Sequence, residues 1–148
     1  MNIHGQWQLD LIGDVLVRTF AGSFNQQGTE ALFAEVKMKI PKDKPWAALA
    51  HGAMWEMSTQ DALHSYSSMS EWAFANGCVC IAFILPSKLH LDILRREAGV
   101  AQDPRYQSCA SLEQACAWLT QRGFPISPEL YPHRAFLNRL EQQLHHSA

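Results

Sequence analysis

Eight apolar residues in succession, Cys78-Val79-Cys80-Ile81-Ala82-Phe83-Ile84-Leu85, lie between two stretches of helical periodicity. A membrane-spanning helix takes about 20 apolar residues, so this run is too short to cross a bilayer. Asn76-Gly77 precede it and Pro86-Ser87 follow it, and its β-branched and aromatic content reads as a strand buried on both faces. Strands of that kind sit in sheets whose connections are helices, so an α/β domain is expected.

The chain has 148 residues, which suits one domain. A domain of this size buries roughly 70% of the surface its unfolded chain exposes, so it needs no disulfide or metal to hold it. Apolar residues make up 47% and charged residues 18%, a globular balance. The net charge of −2 argues against general affinity for nucleic acid, which depends on Lys and Arg neutralising phosphates. Lys37, Lys39, Lys42 and Lys44 are diluted by Glu35 and Asp43 and read as a solvated helix end. Gly5, Gln6, Gln8 and Asp10 interrupt any secretory pattern, and no transmembrane segment is expected. Cys78, Cys80, Cys109 and Cys116 all lie in apolar contexts, which reads as reduced thiols in a cytoplasmic setting. Cys78 and Cys80 are two apart on a strand and are expected to share a face. Neither Cys-x-x-Cys nor His-x-x-x-His spacing occurs, so no metal and no cofactor is expected, and His145-His146 reads as a solvated tail.

Along the chain, Trp7, Leu9 and Leu11 alternate with polar residues, and Val15, Val17 and Thr19 alternate with Leu16, Arg18 and Phe20. With Gly13-Asp14 between them, residues 3–20 read as a hairpin. Gly22-Ser23-Phe24-Asn25 reads as a loop with Asn25 capping a helix whose face is Leu32, Phe33, Val36 and Ile40. A strand from Trp46 to about Ala50 and a loop His51–Met57 follow. Ser58 or Thr59 caps a helix with the stripe Ala62, Tyr66, Met69 and Ala73, ended by Gly77. After the buried strand, Ser87 caps a helix running to Gly99, Tyr106–Cys109 is a short strand, and Ser111 with Gln114 opens a helix that Gly123 closes. Pro125, Pro128 and Pro132 mark a connector. Phe136, Leu137, Leu140 and Leu144 then define an amphipathic helix of about three turns, expected to cover apolar surface on the sheet or on a second subunit as a homodimer.

In this order of elements, residues 1–124 resemble the anti-sigma-factor antagonist (STAS) superfamily, in particular its stand-alone SpoIIAA-like branch. The resemblance is carried by Phe20-Ala21-Gly22-Ser23-Phe24-Asn25 with Gly28, by Pro45-Trp46, by Trp55, and by Ser111-Leu112-Glu113-Gln114-Ala115-Cys116-Ala117-Trp118-Leu119. Residues 125–148 lie outside it. It implies a small open sheet with helices mainly on one face and a role in binding a protein partner. It also implies a phosphorylated serine at the start of the second helix, in an Asp-Ser-Ser-Gly motif. Met57-Ser58-Thr59-Gln60 stands there, so Ser58 and Thr59 are the candidate phospho-acceptors, with Met57 and Gln60 in place of Asp and Gly. Some SpoIIAA-like chains are similar in strand order to lipid-carrying Sec14-type domains, which implies a small apolar ligand as the alternative.

Three further groupings bear on function. Gly22 to Gly28 joins a strand to a helix start but lacks P-loop residues, and reads as a capped turn. His51, Met54, Trp55 and Met57 would form an exposed Met-Trp-x-Met patch suited to a protein or lipid, or would pack over the sheet end. His51, Glu56 and Ser58 could be imagined as base, orienter and nucleophile of a hydrolase, although no nucleophile elbow accompanies them. The expectation is one mixed open sheet of about five strands, an antiparallel hairpin followed by parallel strands, with helices mainly on one face and an added C-terminal helix. No catalytic residue is assigned. A non-enzymatic regulatory or protein-interaction module is expected, with a carrier or sensor of an apolar ligand as the alternative.

Overall fold

The computed structural model describes residues 2–99 and 103–146. Strands β1 (Gln6–Ile12) and β2 (Val15–Phe24) form the antiparallel hairpin, turning at Gly13, whose φ of 58° lies in the left-handed region. Helix α1 (Gln26–Lys39) leads to β3 (Trp46–Ser58), α2 (Gln60–Ala75) to β4 (Cys78–Ile84), and α3 (Lys88–Ala98) to β5 (Tyr106–Cys109). The sheet runs in the order β1-β2-β3-β4-β5, parallel from β2 onward. Helix α4 (Leu112–Gln121), a single 3-10 turn at Pro128–Leu130 and α5 (Arg134–His146) complete the described residues; the side chains of His145 and His146 lie outside them.

The caps form where the residue types favour them. Asn25 Oδ1 accepts from Gly28 N at 2.8 Å, Ser87 Oγ from His90 N at 3.3 Å, and Ser111 Oγ from Gln114 N at 3.2 Å. Gln114 Oε1 reaches back to Ala110 N at 2.9 Å, one residue before the usual capping-box partner.

Alternation along the strands divides the core. Leu16, Ala48, Ala50, Ile81 and Phe83 pack with Leu32 and Val36 of α1, Leu63 and Ala73 of α2, and Leu94 and Ala98 of α3. Val15, Val17, Ala47, Leu49, Cys80, Ala82 and Ile84 pack with Ala115, Cys116 and Leu119 of α4 and with Ile126 and Tyr131. Beyond these, Phe136 and Leu140 of α5 cover Ala21, with Met54 beside them. The C-terminal helix thus docks on its own subunit, and burying those two residues needs no second copy.

Three expectations are corrected. His51–Met57 is not a loop but the second half of β3, because β2 also runs on through Gly22-Ser23-Phe24 and pairs with it out to Phe24–Ser58. Gly22-Ser23-Phe24 is accordingly strand and not loop. Cys78 and Cys80 face opposite sides of the sheet, since Trp46 pairs with Cys78 and its neighbour Ala47 with Cys80. The extra residue between them, Val79, is bulged out and 42% exposed.

Candidate functional site

Two rows of side chains cross the sheet beneath α1, α2 and α3. Leu16, Ala48, Ile81 and Tyr106 pair in one row, and Arg18, Ala50 and Phe83 in the next. Both rows have an alanine on the central strand β3, where sheets usually carry larger side chains. The space these alanines leave is a cavity of about 110 Å³. Its roof is Leu32, Phe33 and Val36 of α1, Tyr66, Met69, Ser70 and Ala73 of α2, and Leu94 of α3. Its walls include Phe20, Phe24 and Trp55. For scale, an apolar cavity of about 150 Å³ stays dry and binds benzene.

Arg18 enters this cavity from β2. Among the described residues lining it, Arg18 is the only charged side chain. No described carboxylate pairs with it; the titratable groups that act on it are Tyr66, Cys78 and Tyr106. Burial pushes its pKa down, but a guanidinium starts so high that it stays charged at neutral pH. Burial pushes the phenols of Tyr66 and Tyr106 up, partly offset by the hydroxyls of Ser58 and Ser70 respectively. Burial likewise pushes the Cys78 thiol up to about 12. All three neighbours are therefore neutral at pH 7, and the cavity carries a net positive charge.

The residues singled out in the sequence fall on two sides of this arrangement. Ser58 ends β3, buried, with its Oγ accepting from Trp55 Nε1 at 3.2 Å and bonded to the Tyr66 hydroxyl at 2.6 Å. Thr59 is the exposed N-cap residue of α2, but its hydroxyl donates to Asp61 Oδ1 and accepts from no backbone N–H of the helix. Trp55 is 2% exposed, packed edge-on to Phe20 and His90, so no exposed Met-Trp-x-Met patch exists; Met54 and Met57 are half-buried. Packing of Phe20 is helped by Gly52, where an added Cβ would sit 2.4 Å from the ring.

His51 points to the opposite face, stacked on Tyr131 with centroids 5.2 Å apart. It cannot reach Ser58, and Glu56 is exposed and accepts from Ser23 Oγ at 3.0 Å. The three residues do not form a catalytic set. Burial pushes the His51 pKa down, with His133 and Arg134 adding to the effect.

Sequence reasoning missed a second polar cluster on this face. Thr19 Oγ1 bonds both the Tyr131 hydroxyl and His133 Nδ1, the latter at 2.7 Å, while His133 Nε2 meets Asp10 Oδ2 at 2.6 Å. The order carboxylate, imidazole, hydroxyl resembles a hydrolytic triad. Yet Thr19 is 0% and His133 1% exposed, and the hydroxyl is already engaged by Tyr131. No substrate can reach it. The cluster instead fastens the segment after α4 to the sheet.

Arg18 was also missed, although its signal is in the sequence: it has the same phase as Leu16 and Phe20, whose side chains face the core. Among the described residues no helix is long and apolar enough to cross a membrane, and no group of three or more His, Cys, Asp or Glu is gathered as a metal site.

No family model and no curated protein matches the chain. Solved structures do. One is an uncharacterized protein of the DUF3478 family with a SpoIIAA-like fold from Shewanella loihica PV-4, at TM-score 0.58 and 15% identity, covering 80% of this chain and 97% of that one. Another is the anti-sigma factor antagonist SpoIIAA in its unphosphorylated form, at TM-score 0.54 and 14% identity, with the same coverage. At these identities the likeness is one of architecture: this chain has the SpoIIAA-like fold.

Proposed function

We propose that this protein is a non-enzymatic regulatory module of the STAS type that carries or senses a small ligand in the cavity between the sheet and α1–α3. The observation that carries this reading is the cavity itself, left open by Ala48 and Ala50 at the centre of the sheet. Cores are packed with few voids larger than a water molecule, so a space of this size at the centre of the sheet supports a binding role. The cavity also has a line to the surface. Tyr66 forms part of its roof and bonds Ser58, beside exposed Thr59 at the start of α2. A ligand that moves Tyr66 would alter the junction Ser58–Asp61, where a protein partner or a phosphate would act. A phosphate at that helix N-terminus would meet backbone N–H groups and the favourable end of the dipole.

The test is thermal denaturation with small apolar probes such as benzyl alcohol, alongside native mass spectrometry of freshly purified protein. A probe at a hundredfold excess over its Kd stabilises the native state by about 2.7 kcal/mol. In a chain of this size that raises Tm by roughly 5–10 °C. Ala50→Leu, which fills the cavity, should raise the starting Tm and abolish the response. A wild-type protein that responds to no apolar probe and carries no bound small molecule would defeat this reading.

A further inference from the structure

We infer that the cavity's ligand is a compact organic anion: a monocarboxylate with an apolar body of about six carbons, held through its carboxylate by Arg18. The inference rests on the ligand-binding reading above and names the class of ligand.

Three observations carry it. Arg18 lines the cavity, half-buried, with no described carboxylate beside it. A charge largely withdrawn from water gains from a partner, because leaving it uncompensated is costly. A neutral ligand would leave the guanidinium as it is, and a cationic one would be repelled. Second, the other polar residues lining the space are Tyr66, Ser70 and Tyr106, whose hydroxyls bond Ser58 (Tyr66) and each other (Ser70 with Tyr106) and would have to turn a proton toward an anion. One guanidinium with a few hydroxyls suits a single negative charge, and the planar fork of Arg matches the two oxygens of a carboxylate. Third, the remaining lining is apolar, with Ala48, Ala50, Ile81, Phe83 and Leu94 available to hold a hydrocarbon body. At about 110 Å³ the space suits a body the size of a six-carbon ring or chain and excludes a long acyl chain lying wholly inside.

The experiment is isothermal titration calorimetry of the full chain near neutral pH. The probes are hexanoate and benzoate, each paired with its neutral isostere, hexan-1-ol and benzyl alcohol. The acids should bind about ten-fold or more tightly than the alcohols, a difference of about 1.4 kcal/mol. Arg18→Met should lose that preference while keeping the alcohols, and Arg18→Lys should retain a weakened preference, because an ammonium keeps the charge but not the fork. The Nε–H resonance of Arg18 should move with hexanoate and stay put with hexan-1-ol. Alcohols that bind as well as the acids would overturn the anion inference and leave the cavity reading standing. Failure of every probe would overturn both. Should Arg18→Met not fold, the wild-type acid-to-alcohol ratio and the Arg18 resonance still decide.

Discussion

The two faces of the sheet are built from the same strands and differ in how they treat polar groups. On the α4 and α5 side, Thr19, Tyr131 and His133 are buried and fully engaged, ending at Asp10 near the surface. On the α1–α3 side, Arg18 is half-buried at the lining of a cavity with no described anion beside it. A satisfied buried network rigidifies and fixes one arrangement, whereas a charge without a partner is costly away from water. The first face is a fastening; the second is the face proposed above as a receptacle.

This contrast can be broken or sharpened by mutation, beginning with the largest effect. Truncation after Phe124 removes the buried Ile126, Tyr131, His133, Phe136 and Leu140. At about 1.5–3 kcal/mol for each large apolar side chain, the loss should exceed roughly 5 kcal/mol, comparable to the whole stability of a small domain. Circular dichroism should find the truncated chain largely unfolded; a wild-type urea midpoint would show that the fastening fastens nothing. His133→Ala should cost about 3–5 kcal/mol, since it opens a hole and strands the Thr19 hydroxyl and the Asp10 carboxylate. A loss below about 1 kcal/mol in urea would mean the network is incidental.

Smaller effects test the receptacle. Gly52→Ala drives a Cβ into the Phe20 ring and should cost about 1–3 kcal/mol by the same denaturation assay. Arg18→Met should leave stability unchanged or raise it slightly, because it removes a half-buried charge that no described carboxylate pairs with. A clear destabilisation would move Arg18 to the structural side of the comparison. The smallest effect is that of His51 on pH dependence. Its folded pKa lies below its unfolded value of about 6.5, so it contributes no slope above that pH. As the pH falls from 6.5 toward the folded pKa, the unfolded chain takes up the proton first and stability declines. His51→Gln should flatten the stability profile in that window. The depressed carboxylates Asp61, Glu97, Asp103 and Glu129 act only at more acidic pH.

Much of the fold was legible because its signals are local. Asn25, Ser87 and Ser111 each sit where a side-chain oxygen can reach the first turn of a helix, and each does so. The length of β3 was not legible. His51, Gly52 and Glu56 look like loop residues in isolation, and only the matching extension of β2 makes them strand. The bulge at Val79 was hidden because an unbroken apolar run carries no phase from which a slip could be noticed. The fastening was hidden for another reason. The Pro-rich segment read as a connector, and the meaning of His133 depends on Thr19, 114 residues away. Arg18 was open to view as a charge in a core-facing phase, but the void beside it depends on how alanines of β3 align with neighbouring strands.

The bulge at Val79 has one more consequence. It turns Cys78 and Cys80, adjacent in pattern, to opposite layers of the protein. Burial holds the Cys78 thiol near 12 and raises that of Cys80 as well, so neither presents reactive thiolate while its layer stays closed. One β-strand thus carries a separate timer for each side of the molecule. The rate at which a thiol reagent modifies Cys78 reports transient opening of the α1–α3 layer, and the rate at Cys80 reports opening of the α4 layer. A small molecule occupying the receptacle would slow the first clock and leave the second running.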